Sequence, residues 1–184
     1  MAELVTEAVV LRTFPSGESD LVVSLYSSTQ GKIRAVAKGA KRSKKRFMNC
    51  LDDFGLVRVV LDVKPGREVM RIDACQLLDR PDFSGNCLLF GLGGLALELV
   101  WIFCPDQEPD DEIYAALKTT LLGLAQAPDP AGLGLAFALR LLHAAGFGPN
   151  FEACLICGKP LDRIKKGAFD LRAGGLVCLD CQPN

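Results

Sequence analysis

The sequence predicts an α+β protein in which a small β-barrel is followed by a helical region that carries a four-cysteine metal site. Three observations predict this fold. Five β-rich segments with turn residues between them fill the first 80 positions, and three Leu- and Ala-rich segments of helical length follow. Two C-x2-C pairs lie between positions 154 and 181. We therefore expect two domains, 1–80 and 81–184.

The predicted strands are short and are separated by turn-forming residues. The segment PSGESD at 15–20 separates the first two, and Pro65-Gly66 is a strong turn dipeptide between the last two. Five short strands indicate a closed or nearly closed barrel, because an open sheet of this size leaves both edges unpaired. The predicted strands cover residues 6–13, 21–27, 32–38, 54–63 and 69–78.

The helical region begins after Arg80-Pro81, where β-branched residues become scarce. Residues 87–104 form an apolar run at the lower length limit for a membrane span, but Glu98 and three glycines interrupt it. We therefore predict a buried helix of a bundle and no contact with a membrane. The predicted helices cover about 86–103, 110–126 and 131–145.

The formal charge of the chain hides a strong asymmetry. The 184 residues include 21 Lys and Arg and 22 Asp and Glu, for a net charge of −1. Positions 1–80 hold 14 basic and 10 acidic residues, whereas positions 81–184 hold 7 and 12. A basic first domain is therefore joined to an acidic second one. The hydrophobic fraction of 49% excludes a disordered chain, and the first residues lack a secretory signal, so we expect a cytoplasmic protein.

Eight of the 14 basic residues in positions 1–80 lie in one segment. No acidic residue stands between Gly31 and Leu51, and a run that follows a strand without apolar periodicity predicts an exposed, flexible loop. Such a loop on a barrel favours binding of a nucleic-acid backbone, with a solvated charged surface as the alternative. Single strands suit a small barrel better than duplex readout does, because no recognition helix is apparent. The candidate phosphate-binding residues are Lys32, Arg34, Lys38, Lys41, Arg42, Lys44, Lys45 and Arg46.

Four other basic residues and four aromatic residues are weaker candidates for nucleic-acid contacts. The basic residues are Arg12, Arg58, Arg67 and Arg71. The aromatic residues, which could either stack on bases or belong to the core, are Phe14, Tyr26, Phe47 and Phe54.

The two C-x2-C pairs predict a zinc site. In a reducing compartment, metal binding explains closely spaced cysteines better than disulfides do. Four thiolates suit tetrahedral Zn²⁺ and leave no open position for water, so one structural zinc ion is expected. Its predicted ligands are Cys154, Cys157, Cys178 and Cys181. The other cysteines are predicted to be small buried hydrophobic residues: Cys50, Cys75, Cys87 and Cys104.

The signals for an enzyme are weak. The string GLGGLA at 91–96 matches a dinucleotide-binding pattern, but no strand of a doubly wound sheet precedes it, so close helix packing explains the glycines better. No phosphate-binding loop of the G-x-x-x-x-G-K-[ST] type is present, and His143 is the single histidine. The residues therefore do not favour nucleotide hydrolysis by the chain itself.

Several strings together resemble the bacterial RecO recombination-mediator family. They are TEAVVLR (6–12), GESDL (17–21), GKIRAVAKGA (31–40) with its basic tail, Leu51-x-x-Phe54, RAGGLVC (172–178) and the cysteine pairs. Asp53 stands where the family usually has proline. Only three residues follow Cys181, whereas members of the family continue for several helices, so the chain resembles a short or truncated form.

The resemblance implies an OB-fold barrel joined to a helical domain with zinc. It also implies a non-enzymatic DNA-repair factor, associated with the nucleoid, that binds and anneals DNA and helps load RecA onto single-stranded gaps. The implied partners are single-stranded DNA, with double-stranded DNA as a further candidate, RecR and single-stranded-DNA-binding protein. A zinc-ribbon module that binds a protein partner without DNA is the alternative, and a nucleotide-dependent enzyme that uses the glycine string is a third.

Overall fold

The first part of the chain forms a closed, five-stranded β-barrel. The computed structural model describes residues 2–43, 45–63 and 69–182. Lys44 and the whole predicted turn at 64–67 lie outside these ranges, and with it the candidate Arg67. The strands are β1 (Ala2–Ser16), β2 (Asp20–Ser27), β3 (Gly31–Ala37), β4 (Leu56–Val63) and β5 (Met70–Asp79).

Strand β1 closes the barrel because it pairs with two neighbours. Its first half is antiparallel to β4, its second half is antiparallel to β2, and a bulge between Val10 and Arg12 marks the bend. The remaining pairs are β2 with β3, β4 with β5, and a parallel pairing of β3 with β5. The resulting order β1-β2-β3-β5-β4 is a closed, OB-like barrel and confirms the predicted fold class.

Alternation along the strands fills the barrel. In β3, Ile33, Ala35 and Ala37 are buried whereas Arg34 is exposed, as expected for a strand with one face in the core. Leu25 from β2 is also fully buried. The basic side chains of β3 therefore lie outside the barrel because the apolar residues between them lie inside.

Three helices follow, close to the predicted positions: α1 (Cys87–Phe103), α2 (Asp111–Gly123) and α3 (Pro130–Ala144). Side chains of Asn86 and Asp110 accept hydrogen bonds from the first turns of α1 and α2, which explains where both helices begin. Helix α1 buries one face, but Leu88 and Phe90 on the other are more than half exposed, so the prediction of a buried helix holds for one face only. No helix in the described ranges is long and apolar enough to cross a membrane.

The glycine string lies inside α1 and not between a strand and a helix. A side chain at Gly93 would place its Cβ 2.7 Å from Cε2 of Phe83 and 3.1 Å from Cε1 of Phe54. Close packing therefore explains why residue 93 is glycine. The neighbours are the rings of Phe83 and Phe54, whereas the sequence predicted packing against another helix. Gly91 and Gly94 have open space around them and require no such explanation.

The chain divides into two compact units, Met1–Ala138 and Leu139–Asn184. The second unit contains a two-stranded antiparallel sheet of β6 (Gly167–Asp170) and β7 (Gly175–Cys178). Single turns of 3-10 helix at Leu161–Arg163 and Leu179–Cys181 flank this sheet along the chain. The domain boundary between residues 80 and 81 stays a prediction.

Candidate functional site

The basic loop, residues 38–46, begins at the end of β3. Lys38, Lys41, Arg42, Lys45 and Arg46 are all exposed there, and Arg34 is exposed on the preceding strand. No carboxylate stands between these residues in the chain. The structure therefore brings most of the predicted phosphate-binding residues together as one cationic surface on the barrel.

The start of this loop is held against the turn between β1 and β2. Gly39 adopts a left-handed conformation with φ of 68°, and its N–H donates to Asp20 Oδ1 at 2.8 Å. The backbone N–H of Lys41 donates to the carbonyl of Ser19 at 3.0 Å, and its Nζ donates to the carbonyl of Gly17 at 2.8 Å. The loop is thus anchored by two backbone N–H groups and by the ammonium group of Lys41, although the Lys41 side chain is still exposed.

The end of the basic loop is anchored by packing. Ala40 and Phe47 are both buried in the barrel core, and Arg46 lies over the Phe47 ring at 5.1 Å. The Arg46 guanidinium donates to the carbonyl of Lys38 at 3.1 Å, which joins the two ends of the loop. Ala40–Arg42 forms a turn of 3-10 helix where the sequence predicted only an irregular loop. Ala40 near the start of the basic loop and Phe47 directly after its end are both buried in the barrel core, and this burial restricts the backbone between them.

Lys32 is placed differently from the other predicted phosphate-binding residues. Its Nζ donates to the backbone carbonyl of Trp101 at 2.8 Å and lies 3.2 Å from Asp106, and its side chain is only 11% exposed. Arg34 lies over the Trp101 ring at 5.1 Å but remains exposed. Lys32 therefore links β3 to the end of α1. The cationic surface is formed by Arg34 and the exposed cations of the basic loop instead.

The weaker basic candidates on the barrel are engaged with carboxylates. Arg12 pairs with Glu98, Arg58 with Glu7, and Arg71 with both Asp62 and Asp73. These carboxylates offset the positive charge at each position. In the basic loop Arg42 also pairs with a carboxylate, Glu18 at 3.6 Å. Among the described residues, no carboxylate forms a salt bridge with the other exposed cations of this surface, which are Arg34, Lys38, Lys41, Lys45 and Arg46.

The structure separates the four aromatic candidates. Tyr26 is fully buried and Phe47 is 5% exposed, so both belong to the core. Phe54 packs edge-on against Phe83 and Phe90, with ring centroids 5.3 and 5.4 Å apart. Phe14 is 47% exposed. Of the four, Phe14 is the ring whose face is most available for base stacking.

The four cysteines of the C-x2-C pairs form one cluster in the second unit. Their sulfur atoms all lie within 4.8 Å of one another, and the sulfurs of Cys157 and Cys178 are 3.7 Å apart. A tetrahedral ion with metal–sulfur bonds of about 2.3 Å places its sulfurs about 3.8 Å apart. The cluster therefore has the size and the donor set to hold one metal ion.

Tight turns position these sulfurs. Gly158, with φ of 70°, donates its N–H to the carbonyl of Cys154 at 2.9 Å and closes the first pair into a turn. The N–H of Cys178 donates to the Cys154 sulfur at 3.4 Å. Backbone N–H groups of Cys157 and Cys178 lower the pKa of the Cys154 thiol to about 6. A thiolate is therefore favoured at this position at neutral pH, which suits a cation ligand.

The pKa of the Cys181 thiol moves in the opposite direction. Hydrogen bonds with the thiols of Cys157 and Cys178, together with burial, raise it to about 12. A cation at the centre of the cluster would reverse this by favouring the thiolate form of every ligand. The other four cysteines lie outside the cluster: Cys50 and Cys104 are buried as predicted, Cys75 is half-buried, and Cys87 is exposed, contrary to prediction. Cys87 is exposed because it occupies the first position of α1, directly after the cap.

Comparison with known proteins decides the family. The N-terminal domain model of recombination protein O matches residues 1–81, and the C-terminal domain model of the same protein matches residues 88–184. The chain belongs to the RecO family. It is 34% identical over 177 residues to "DNA repair protein RecO" of Syntrophobacter fumaroxidans, covering 95% of this chain and 70% of the relative. The proteins of the same name from Syntrophus aciditrophicus and Koribacter versatilis are 30% and 35% identical, over 96% and 94% of this chain and 68% and 70% of the relatives.

The resemblance noted in the sequence is confirmed, and the structure of this RecO-family chain adds one group that sequence reasoning missed. Four basic residues, Lys159, Arg163, Lys165 and Lys166, line a cavity beside the second cysteine pair. The signal in the sequence is four basic residues within eight positions. This basic cluster was overlooked in the sequence because the net charge of residues 81–184 is negative.

Proposed function

We propose that this RecO-family chain is a DNA repair and recombination mediator that binds and anneals DNA strands and helps load RecA onto single-stranded gaps. The observation that carries the proposal is the exposed basic loop, anchored on a closed barrel and free of intervening carboxylates. Membership of the family, whose curated members are named DNA repair proteins, supports the biological setting.

The phosphate contacts are assigned to exposed cations around the basic loop. Because the loop is tied to the barrel through Asp20 and Phe47, its cations are presented from a fixed base and lose less entropy on binding than those of a free tail. Lys44 and Lys32 complete the predicted set, the first outside the described ranges and the second mostly buried. The assigned residues are Arg34, Lys38, Lys41, Arg42, Lys45 and Arg46.

We assign the four-cysteine cluster to one structural zinc ion. Sulfur donors favour Zn²⁺ over hard cations such as Mg²⁺ and Ca²⁺. Four protein ligands leave no position for substrate or water, so this site would stabilise the unit of residues 139–184 without catalysis. The proposed activity accordingly rests on binding strands and partners and not on bond chemistry.

The proposed partners are those that the family resemblance implies. They are single-stranded DNA, double-stranded DNA, RecR and single-stranded-DNA-binding protein, and the proposed location is the cytoplasm at the nucleoid. The cationic surface described above supports the nucleic-acid partners alone. We assign no residues to the protein partners.

The test is oligonucleotide binding and annealing across salt concentrations. If six phosphates are neutralised on a single strand, log K should fall with log salt at a slope of about −4. Replacing Lys41, Arg42, Lys45 and Arg46 with glutamine should reduce the steepness of that slope by about 3. As a control, Lys118→Gln and Arg140→Gln remove positive charge at positions outside residues 38–46 and should leave the slope unchanged.

Two results would contradict the proposal. One is an affinity that does not depend on salt, and the other is an unchanged affinity in the fourfold variant. Capture of a protein partner by a chain without DNA affinity would instead favour the zinc-ribbon interaction module.

A further inference from the structure

A cavity of about 440 Å³ lies in the second unit, beside the cysteine cluster. Its lining comes from the segment 159–166 and from the 3-10 turn that follows β7. Four of its lining residues are basic, namely Lys159, Arg163, Lys165 and Lys166, and Asp180 is the acidic one. The cavity is therefore strongly positive although residues 81–184 carry more acidic than basic residues.

Most of this positive charge has no protein counter-ion. Lys159 Nζ lies 3.0 Å from Asp180 Oδ2, which neutralises one cation on the rim. Among the described residues, no carboxylate lies within salt-bridge distance of Arg163, Lys165 or Lys166. Three neighbouring cations repel one another, and this unfavourable arrangement is relieved when an anion enters between them.

The backbone around the cavity is ordered by short-range hydrogen bonds. The N–H of Arg163 donates to the carbonyl of Pro160 at 3.0 Å, and the N–H of Ile164 donates to Leu161 at 3.0 Å. The N–H of Leu179 donates to the carbonyl of Lys166 at 3.3 Å, which joins the two segments that line the cavity. The cations are thus carried by a folded framework next to the cysteine turns.

We propose that this cavity binds the phosphate groups of a single nucleic-acid strand, which gives the chain a second strand-binding surface in addition to the basic loop. This inference rests on the proposed function, because a second surface would let one chain hold both of the strands that are annealed. Arg163, Lys165 and Lys166 are exposed, and an exposed cation gains little from one small anion. A polyanion gains more, since each neutralised phosphate releases a counter-ion.

The cations have a second conceivable role, which the experiment separates from the first. A zinc ion with four thiolates carries a net charge of −2, and basic residues beside Cys178 would offset that charge. If this were their only role, replacing them would lower the metal content of the protein and would leave strand binding intact.

The experiment compares three variants of the full chain with the wild type. The cavity variant is Arg163→Gln/Lys165→Gln/Lys166→Gln, and its control of equal charge is Lys118→Gln/Arg140→Gln/Arg172→Gln, at positions outside the cavity lining. The loop variant is the fourfold replacement described above. The probe is a dT oligonucleotide of about 8 nucleotides, which is within the span of one single-strand site.

The wild type and the control are expected to bind two oligonucleotides per chain, and the cavity variant one. Annealing of complementary strands should be slower by about tenfold or more in the cavity variant, since the second strand is no longer held on the same chain. Its affinity for the first oligonucleotide should stay within about twofold of wild type, because the basic loop is unchanged in this variant.

Retention of two oligonucleotides and of wild-type annealing by the cavity variant would overturn the inference while leaving the proposed function intact. Wild-type affinity and salt slope in the loop variant would instead overturn the proposed function. Loss of metal by the cavity variant with two oligonucleotides still bound would assign the cations to the thiolates and also overturn the inference.

A measurement on the unmodified chain guards against a cavity variant that fails to fold. Crosslinking of wild-type protein to a photoreactive dT oligonucleotide should mark the peptide that contains residues 159–166. Crosslinks confined to the barrel would contradict the proposed second surface.

Discussion

The Asp20 carboxylate and the Gly39 amide form the hydrogen bond that fixes the start of the basic loop, with Oδ1 2.8 Å from the nitrogen. Ser19 Oγ donates to the same carboxylate oxygen at 2.9 Å. Asp20, the first residue of β2, thereby holds the segment that carries five of the exposed Lys and Arg side chains of the barrel. Because Asp20 contacts the loop backbone at Gly39, we expect it to position the loop.

Asp20→Ala should release the start of the basic loop. Without the acceptor, the Gly39 N–H loses its partner, and the amides of residues 38–42 should exchange with solvent faster, by about tenfold for each 1.4 kcal/mol of lost protection. Hydrogen exchange measured by mass spectrometry checks this. Glu18→Ala is the matched control, because Glu18 is 94% exposed and pairs only with the exposed Arg42 among the described residues. Equal exchange in the two variants would contradict the positioning role.

The same carboxylate gives a pH dependence with a defined sign. The hydrogen bond from the Gly39 N–H, and to a lesser extent the one from the Ser19 hydroxyl, holds the pKa of Asp20 below its usual value. A carboxyl whose pKa is lower in the folded state stabilises the fold above its unfolded pKa of about 3.9, and this contribution is lost as pH falls through the folded value. The difference in unfolding free energy between wild type and Asp20→Asn should therefore shrink below about pH 4. Urea unfolding across pH measures it, and a difference that grows in acid would refute the assignment.

Gly93 is expected to tolerate no side chain. Gly93→Ala forces a methyl group against the rings of Phe83 and Phe54 and should destabilise the protein by about 1–3 kcal/mol. Gly91→Ala in the same helix meets open space and should stabilise it by up to about 1 kcal/mol through helix propensity. Urea unfolding of the pair measures both effects. A stabilising Gly93→Ala would show that the two rings move aside easily.

Local patterns predicted the barrel strands and the three helices, but not β6 and β7 of the second unit, where only helices and cysteine turns were expected. Several side-chain contacts were also missed because they are long-range. Alternation and turn residues gave five strands and three helices, although the first strand runs over 2–16 instead of 6–13. The metal-site geometry followed from cysteine spacing because C-x2-C is itself a local turn. The burial of Lys32 depends on Trp101, which is 69 positions away, and no local pattern reports such a contact. The order of the basic loop likewise depends on Asp20 at the start of β2, which is 19 positions away from Gly39 in the chain.

Lys32 and Arg34 lie two positions apart on β3 and should respond differently to substitution. Lys32→Gln breaks the contacts with the Trp101 carbonyl and with Asp106 and should cost about 1–3 kcal/mol of stability. Arg34→Gln should change stability by less than about 0.5 kcal/mol and should reduce the steepness of the salt slope of strand binding by about 0.7. Fluorescence of the single tryptophan, Trp101, follows unfolding of both variants. A Lys32→Gln variant that is as stable as wild type would contradict the anchoring role.

The cysteine cluster gives the last prediction. Protein purified under reducing conditions without chelators should contain about one equivalent of zinc. Cys178→Ser replaces a soft sulfur ligand that also lies 3.7 Å from the Cys157 sulfur. It should lower the metal content and make the unit of residues 139–184 sensitive to proteolysis, because metal binding is coupled to folding of small units. Cys87→Ser is the control, since Cys87 is exposed and lies outside the cluster. Elemental analysis of the two variants measures this. Equal metal content in both would exclude Cys178 as a ligand, whereas a lower metal content in Cys178→Ser alone would assign the metal to the four-cysteine cluster.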